Sequence, residues 1–338
     1  MKKKILIYGA GQLGINAMAY ILNNRYKGEA DVVMYSPHNH KRVEGAIEDL
    51  KDACAIDNHF SGWKFKATND VEDFTGCDLA FFCAGASFTA DEYEKAKQNG
   101  IDDRMLQASK NIDILKEFCS SVKAYCPKAT VFVVTNPVDM MTEIAGKELS
   151  DDKVYGLGCY LDSARFRREF FEELQNNGFN TDFDSMKGWI LGHHCATMFL
   201  DTSSLSFVGM ENIEQEKLQK MIANALDKTR KRGLTITNIN AAAQTKKLNN
   251  GAYFAPSVMI ADVMVAFVND ETLILPVNRK IYNEDNLGVV GYRVQMMAKI
   301  ENNTVMPVFT DLSLDDVGAL KYSIDTYEES KKIFKDYK

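Results

Sequence analysis

Uninterrupted apolar runs punctuate the first half of the chain: Lys4-Ile-Leu-Ile-Tyr8, Asp31-Val-Val-Met-Tyr35, Cys77-Asp-Leu-Ala-Phe-Phe-Cys83 and Thr130-Val-Phe-Val-Val-Thr135. Polar positions do not alternate within them, so each reads as a strand buried on both faces, the kind found in a parallel sheet. Helical periodicity fills intervals between them, from Ile15 to Leu22 and from Ile101 through Lys123. Strand alternating with helix predicts an α/β fold with a doubly wound parallel sheet and ligands at the carboxyl ends of its strands. The pattern changes in the second half. Gly156-Leu-Gly-Cys-Tyr-Leu-Asp162-Ser-Ala-Arg165-Phe-Arg-Arg168-Glu-Phe170 opens on glycines suited to a turn and runs into residues compatible with a helix. Met186–Leu191 reads as a strand, Ser257–Phe267 as an amphipathic helix, Leu273–Pro276 and Gly291–Ile300 as strands of a separate sheet, and Ser313–Phe334 as a closing helix. This mixture predicts an α+β second domain, with the first domain at 1–148 and the second at 149–338.

Length agrees with two domains, since 338 residues exceed what one small core organises. The 46% hydrophobic and 26% charged content is that of a soluble globular chain. A formal net charge of −7 argues against nucleic acid as the main partner, and short basic clusters such as Lys2-Lys3-Lys4 read as solvated faces. No apolar run approaches the roughly 20 residues of a membrane span. Three lysines leading directly into a strand and a glycine loop do not fit a signal peptide, and the 7 cysteines lack CxxC pairing. The expected compartment is therefore the cytoplasm, with reduced thiols and no structural zinc.

Candidate chemistry begins where the first strand ends. Gly9-Ala-Gly11-Gln12-Leu13-Gly14 lies between a strand and a helix, the context that the dinucleotide fingerprint requires. The first glycine makes the tight turn, the second admits a pyrophosphate, and the third packs helix on strand. The helix N-terminus supplies amide donors to the phosphates. The first domain is thus expected to be a Rossmann domain. An NAD enzyme usually closes its second strand with an acidic residue for the ribose hydroxyls. Here Ser36 stands there, followed by His38, His40, Lys41 and Arg42, which fit either a 2′-phosphate or an ordinary solvated helix start. NAD(H) and NADP(H) are equally expected.

Other candidates carry a plain alternative. Asn136, before Pro137 at a strand end, suits a ligand contact or a simple turn. Phe88–Gly100 is rich in charge and reads as a loop ending near a single Arg104, either a lid bearing a cation or a surface charge beside Asp102 and Asp103. Asp162 and Arg165 share a helix face, which alone describes an ordinary surface ion pair. In Gly192-His193-His194-Cys195, histidine suits proton exchange near neutral pH, no ligand cluster accompanies it for a metal, and Cys195 reads as a small filler.

Taken in order, Gly9–Gly14, Ala84-Gly85, Arg104 with Asn111, Thr135-Asn-Pro-Val-Asp139, Leu161-Asp-Ser-Ala-Arg-Phe-Arg167, Gly192-His-His194 and Tyr253-Phe-Ala-Pro256 resemble the lactate/malate dehydrogenase family of L-2-hydroxy-acid dehydrogenases. The likeness spans Lys4 to about Phe334. It implies an oxidoreductase that moves a hydride between a nicotinamide cofactor and an L-2-hydroxy acid/2-oxo acid. It implies His194 as acid/base, Asp162 as its orienting carboxylate, Arg165 as the clamp on the substrate carboxylate and Arg104 as the polarising cation. Asn136 would help hold substrate and cofactor, and Gly85 would line the cofactor loop. A homodimer or homotetramer is implied as well.

Three departures bear on detail. Gly192-His193-His194-Cys195 replaces the family's Gly-Glu-His-Gly, the segment from Gly85 to Arg104 is longer than usual, and Ser36 replaces the acid. Gln98, preceded by Lys97, matches the position where lactate-type members carry glutamine and malate enzymes carry arginine. Small Ala252, ahead of Tyr253-Phe-Ala-Pro256, is more malate-like. The expectation is a lactate-dehydrogenase-like enzyme, with malate dehydrogenase as the alternative. From another class, the altered histidine segment fits an NAD(P)-binding sensor without turnover.

Overall fold

The computed structural model describes residues 2–59, 61–86, 90–98, 103–243 and 252–337. From its N-terminus the chain forms β1 (Lys3–Tyr8), α1 (Gln12–Asn23), β2 (Ala30–Tyr35), α2 (His40–Ile56), β3 (Trp63–Thr68), β4 (Leu79–Phe82), α3 (Ala90–Gln98), α4 (Asp103–Tyr125), β5 (Thr130–Val133), α5 (Val138–Glu148) and β6 (Val154–Gly156). These strands follow the order β3-β2-β1-β4-β5-β6, every neighbouring pair parallel. That is the strand order of a Rossmann domain, with the reversal beside β1. Ile5, Leu6, Ile7 and all of β4 are buried, which is why these strands carry no polar alternation. Successive β1 side chains point to opposite faces. Ile7 meets α1 at Gly14, where an added Cβ would stand 3.1 Å from Ile7 Cγ2. Tyr8 lies against Phe118 of α4, ring centroids 5.1 Å apart. Helices therefore cover both faces, and the sheet is doubly wound.

The chain continues through α6 (Cys159–Asn176), β7 (Lys187–Leu191), β8 (Phe199–Ser206), α7 (Gln215–Ala243), α8 (Phe254–Asn269), β9 (Leu273–Lys280), β10 (Arg293–Glu301), β11 (Thr304–Pro307) and α9 (Leu314–Tyr337). It divides into two compact units, one of Met1–Leu157, Tyr253–Ile274 and Lys299–Met306, the other of Gly158–Ala252, Leu275–Ala298 and Pro307–Lys338. The expected boundary at 148/149 falls inside the first unit, because β6 extends its parallel sheet by pairing with β5. Helix α8 also groups there, tied to α1 by the Ser257 hydroxyl, which donates to the Leu13 carbonyl at 2.9 Å. Strands β9 and β10 are not confined to a separate second-domain sheet, since Leu273–Ile274 and Lys299–Met306 group with the first unit.

A second expectation is corrected at Phe88–Gly100. Ala90–Gln98 is helix α3, not loop, while Ser87–Thr89 and Asn99–Asp102 lie outside the described residues. The charge there belongs to good helix formers, with Asp91 and Glu92 in the first turn where they complement the helix dipole. Ala96 is buried, and Glu92 pairs with Lys110 of α4 at 2.5 Å.

Within the second unit, β7 and β8 pair antiparallel. One core gathers Phe166, Phe170 and Leu174 of α6, Ile190 and Leu200 of the strands, and Met221 and Ala225 of α7. Phe166 and Phe170 stack with centroids 5.5 Å apart. Another gathers Leu191 and Phe199 with Val294 and Met296 of β10 and Leu320 and Ile324 of α9. The neighbours Ile190 and Leu191 thus enter different cores, as strand alternation dictates.

Candidate active site

In the first unit, the loop after β1 is built for close backbone approach. Gly9 has φ +87°, and an added Cβ would lie 2.4 Å from the Ala84 backbone, so only glycine fits. The Gly9 and Ala10 amides donate to the Tyr35 carbonyl at 3.0 and 2.9 Å, locking the turn to β2. At Gly11 the space is open, with only the Gly9 carbonyl within reach at 4.0 Å. Gly11 is also the N-cap of α1, and no side chain caps that end, so the first-turn amides that begin at Gln12 and Leu13 remain available to an anion. This cradle fits a dinucleotide pyrophosphate.

Two loops at carboxyl ends of the sheet, after β4 and after β5, meet at Asn111 of α4, which is 3% exposed. Its Oδ1 accepts from the Ala86 amide at 2.8 Å, and its Nδ2 donates to the Asn136 carbonyl at 2.9 Å. Thr135 adds a hydroxyl that donates to the Ala84 carbonyl at 2.7 Å. Gly85 sits between them, where a Cβ would be 3.7 Å from Asn111 Oδ1 and 3.8 Å from Thr135. The Asn136–Pro137 bond is cis, and the Asn136 side chain is exposed. Ser36 is buried at the end of β2, its amide donating to Thr68 at 3.0 Å. Lys41 and Arg42 are exposed at the start of α2, and Lys41 pairs with Glu44 at 2.7 Å. Burial pushes the thiol of Cys83, just before this loop, up to about 12, so it stays protonated.

In the second unit, Asp162 of α6 is fully buried and divides its two oxygens between two partners. Oδ2 accepts from His194 Nδ1 at 2.5 Å, and Oδ1 accepts from Arg165 Nη1 at 3.2 Å. The pair Asp162–Arg165 is therefore not a surface ion bridge. Since a carboxylate only accepts, His194 carries a proton on Nδ1, and Nε2 is the nitrogen through which it can exchange one. The His194 side chain is 14% exposed and that of Arg165 is 13% exposed. Helix α7 passes close to Arg165 at Gly233, where a Cβ would be 3.9 Å from Nη1.

Behind His194 stand two residues that sequence reasoning missed. A Cβ on Gly158, the N-cap of α6, would be 2.8 Å from His194 Cβ and 2.9 Å from Gln295 Nε2. Gln295 is fully buried, accepts from the Cys159 amide at 3.4 Å, and pairs through its backbone with Gly192 at 2.8 and 3.2 Å. A glutamine inside the apolar run Val294–Met297 was the available signal. Gly158→Ala should displace His194 from Asp162 and lower kcat about tenfold or more, as Ångström-scale misplacement does. A steady-state assay checks this, with circular dichroism to verify folding.

The remaining candidates are less closely grouped. Arg104 lies in the first turn of α4, its side chain outside the described residues. Gln98 ends α3 and is exposed, and Ala252 is half-buried. His193 does not join a metal cluster, since no group of His, Cys, Asp and Glu among the described residues could hold an ion.

Comparison with known proteins gives a consistent picture. A family model described as the lactate/malate dehydrogenase NAD-binding domain matches residues 3–156. Malate dehydrogenase of Staphylococcus carnosus (strain TM300) is 30% identical over 340 residues, covering 99% of this chain and 99% of that protein. Malate dehydrogenase 1 of Aquifex aeolicus (strain VF5) is 30% identical, covering 90% of this chain and 87% of its own. The crystal structure of Cryptosporidium parvum lactate dehydrogenase, complexed with lactic acid and nicotinamide adenine dinucleotide, matches at TM-score 0.80 and 26% identity, covering 99% of this chain and 98% of that one.

Proposed function

Because this chain belongs to the lactate/malate dehydrogenase family, we infer that His194, Asp162 and Arg165 carry its chemistry. The enzyme is an oxidoreductase acting on CH–OH donors, transferring a hydride between NAD(H) and a small 2-hydroxy acid/2-oxo acid. The observation that carries the residue assignment is the division of one buried carboxylate between a histidine and an arginine.

The first unit holds the cofactor through Gly9–Gly14, Ser36, Gly85 and Asn136. When bound, the nicotinamide supplies or accepts the hydride. In reduction, His194 gives its Nε2 proton to the oxo oxygen as negative charge develops there. In oxidation, the neutral Nε2 takes the hydroxyl proton. Asp162 fixes the ring's tautomer and stabilises the imidazolium, as a triad carboxylate does. Arg165 turns its remaining guanidinium donors to the substrate carboxylate, a bidentate fit that lysine cannot reproduce. Arg104 polarises the oxo group and stabilises the developing oxyanion. A panel of 2-oxo acids assayed with NADH and NADPH tests the reading; no turnover of any of them would overturn it.

Malate dehydrogenase is the second reading, supported by relatives of that name matching nearly the whole chain. Gln98 favours a monocarboxylic acid, so the pyruvate-to-oxaloacetate activity ratio separates the two. For the cofactor, uncharged Ser36 with exposed Arg42 nearby supports acceptance of NADPH beside NADH. Ser36→Asp should move the NADH/NADPH ratio of kcat/KM toward NADH by about tenfold, about 1.4 kcal/mol of discrimination. An unchanged ratio would remove Ser36 from the ribose site. A homodimer or homotetramer is expected, and sedimentation velocity measures it; Ile56, Leu234 and Ile239 offer exposed apolar side chains to such a contact. Among the described residues no helix is long and apolar enough to cross a membrane.

A further inference from the structure

The turn that carries His194 is anchored by a chain of polar groups that the reaction does not use. His193 is 1% exposed, and its ring stacks on Tyr327 of α9 with centroids 4.1 Å apart and planes at 16°. His193 Nε2 lies 3.2 Å from the Arg293 carbonyl of β10. A carbonyl can only accept, so Nε2 carries a proton. His193 Nδ1 lies 3.1 Å from the Ser323 hydroxyl of α9, which also accepts from the His193 amide at 3.0 Å. Ser323 Oγ is 2.9 Å from Thr197 Oγ1, and Thr197 Oγ1 is 3.1 Å from Cys195 Sγ.

For a neutral His193 ring the directions follow by elimination. Ser323 has one hydroxyl proton, and Nδ1 needs it. Ser323 Oγ then accepts from the His193 amide and from Thr197, which fills both lone pairs, and Thr197 in turn accepts from the Cys195 thiol. Every donor in the chain finds an acceptor, running Cys195 to Thr197 to Ser323 to His193 to the Arg293 carbonyl. Ser323 is the hub, touching the turn at the His193 amide, the His193 ring and Thr197. Both chain neighbours of His194 are thus fastened through side chains, Cys195 by way of Thr197, while Gly192 is fixed by its bridge to Gln295.

We propose that His193 is a positioning residue for hydride transfer: an Nε2-protonated imidazole that pins the turn to α9 and β10 and so holds His194 against Asp162. This rests on the assignment of His194 as the proton donor. His193→Ala and Ser323→Ala should each lower kcat about tenfold to a hundredfold, with KM for the 2-oxo acid within about twofold, because Arg165 is untouched. A misplaced proton donor slows the chemical step, so the primary deuterium isotope effect on kcat with 4-deuterated NADH should rise in both variants. His193→Asn, whose amide oxygen accepts from Ser323 as Nδ1 does, should recover most of the rate. Unchanged kcat in both alanine variants, or a loss that follows the folded fraction with an unaltered isotope effect, would overturn the positioning role. In the wild-type enzyme, 15N spectra of labelled histidine should show His193 protonated at Nε2. A ring without a proton on Nε2 would overturn the proposal without any variant. An active His194→Ala would instead overturn the assignment on which the proposal rests.

Discussion

His194→Ala should lower kcat by about 10²–10⁴-fold, the range that positioned general acid–base catalysis contributes. Removing the imidazole removes the Nε2 proton that the developing alkoxide takes, while the glycine loop and its amides lie in a different part of the chain. NADH binding, followed by fluorescence, should therefore survive the substitution. Asp162→Asn should fall in the same range, because an amide beside Nδ1 no longer enforces the tautomer in which Nε2 is free to accept. The two losses should not add: once the histidine is gone, its orienting partner has nothing to orient. Single-turnover kinetics on the singles and the double variant measure this. Additive losses would mean that the 2.5 Å contact between His194 and Asp162 has no part in proton transfer. A variant that binds NADH but turns over nothing would also dispose of a sensor without catalysis, since the wild type would then differ from it by chemistry alone.

Arg165→Lys should raise KM for the 2-oxo acid strongly and reduce kcat/KM by about 10²–10³-fold. A guanidinium can offer a carboxylate two parallel N–H bonds, and charge-assisted bonds contribute about 1.5–3 kcal/mol each. Losing about 3–4 kcal/mol corresponds to that fold-change at about 1.4 kcal/mol per tenfold. Lysine keeps a cation within reach of Asp162 Oδ1, so Asp162 is not left with an unopposed buried charge, and thermal stability should change little. Affinity for a non-reacting 2-oxo acid analogue in the presence of NADH gives the readout. Unaltered affinity would assign Arg165 to Asp162 alone, as a structural partner.

The parallel strands were legible because burial on both faces removes polar alternation, and the glycine loop because its backbone demands are local. The site was less so. His194 and Asp162 lie 32 positions apart, and nothing in periodicity joins them; only the order of several motifs, read as a resemblance, placed them in one mechanism. Arg104 and Gln98 follow from the same resemblance, not from pattern. Gln295 escaped notice because its role depends on which residue it faces across the Gly192 bridge, a matter of tertiary register. The polar run before Arg104 was misread because charge marks solvent exposure before it marks backbone conformation, and Ala90–Gln98 satisfies both a solvated face and a helix. His193 drew attention as a possible proton carrier or ligand, whereas its partners are a carbonyl, a hydroxyl and an aromatic ring that only folding assembles.

The alternation of Ile190 and Leu191 between two cores also governs how the strand can change. A substitution in β7 disturbs one core at one position. An inserted or deleted residue reverses the facing of everything beyond it, sending Ile190 and Leu191 each into the wrong interior and advancing or retarding the histidines that follow. With an insertion, His193 would stand where His194 now meets Asp162, and with a deletion Cys195 would stand there. Strand β7 therefore counts for the active site: its length, more than the identity of any residue in it, decides which side chain arrives at the carboxylate.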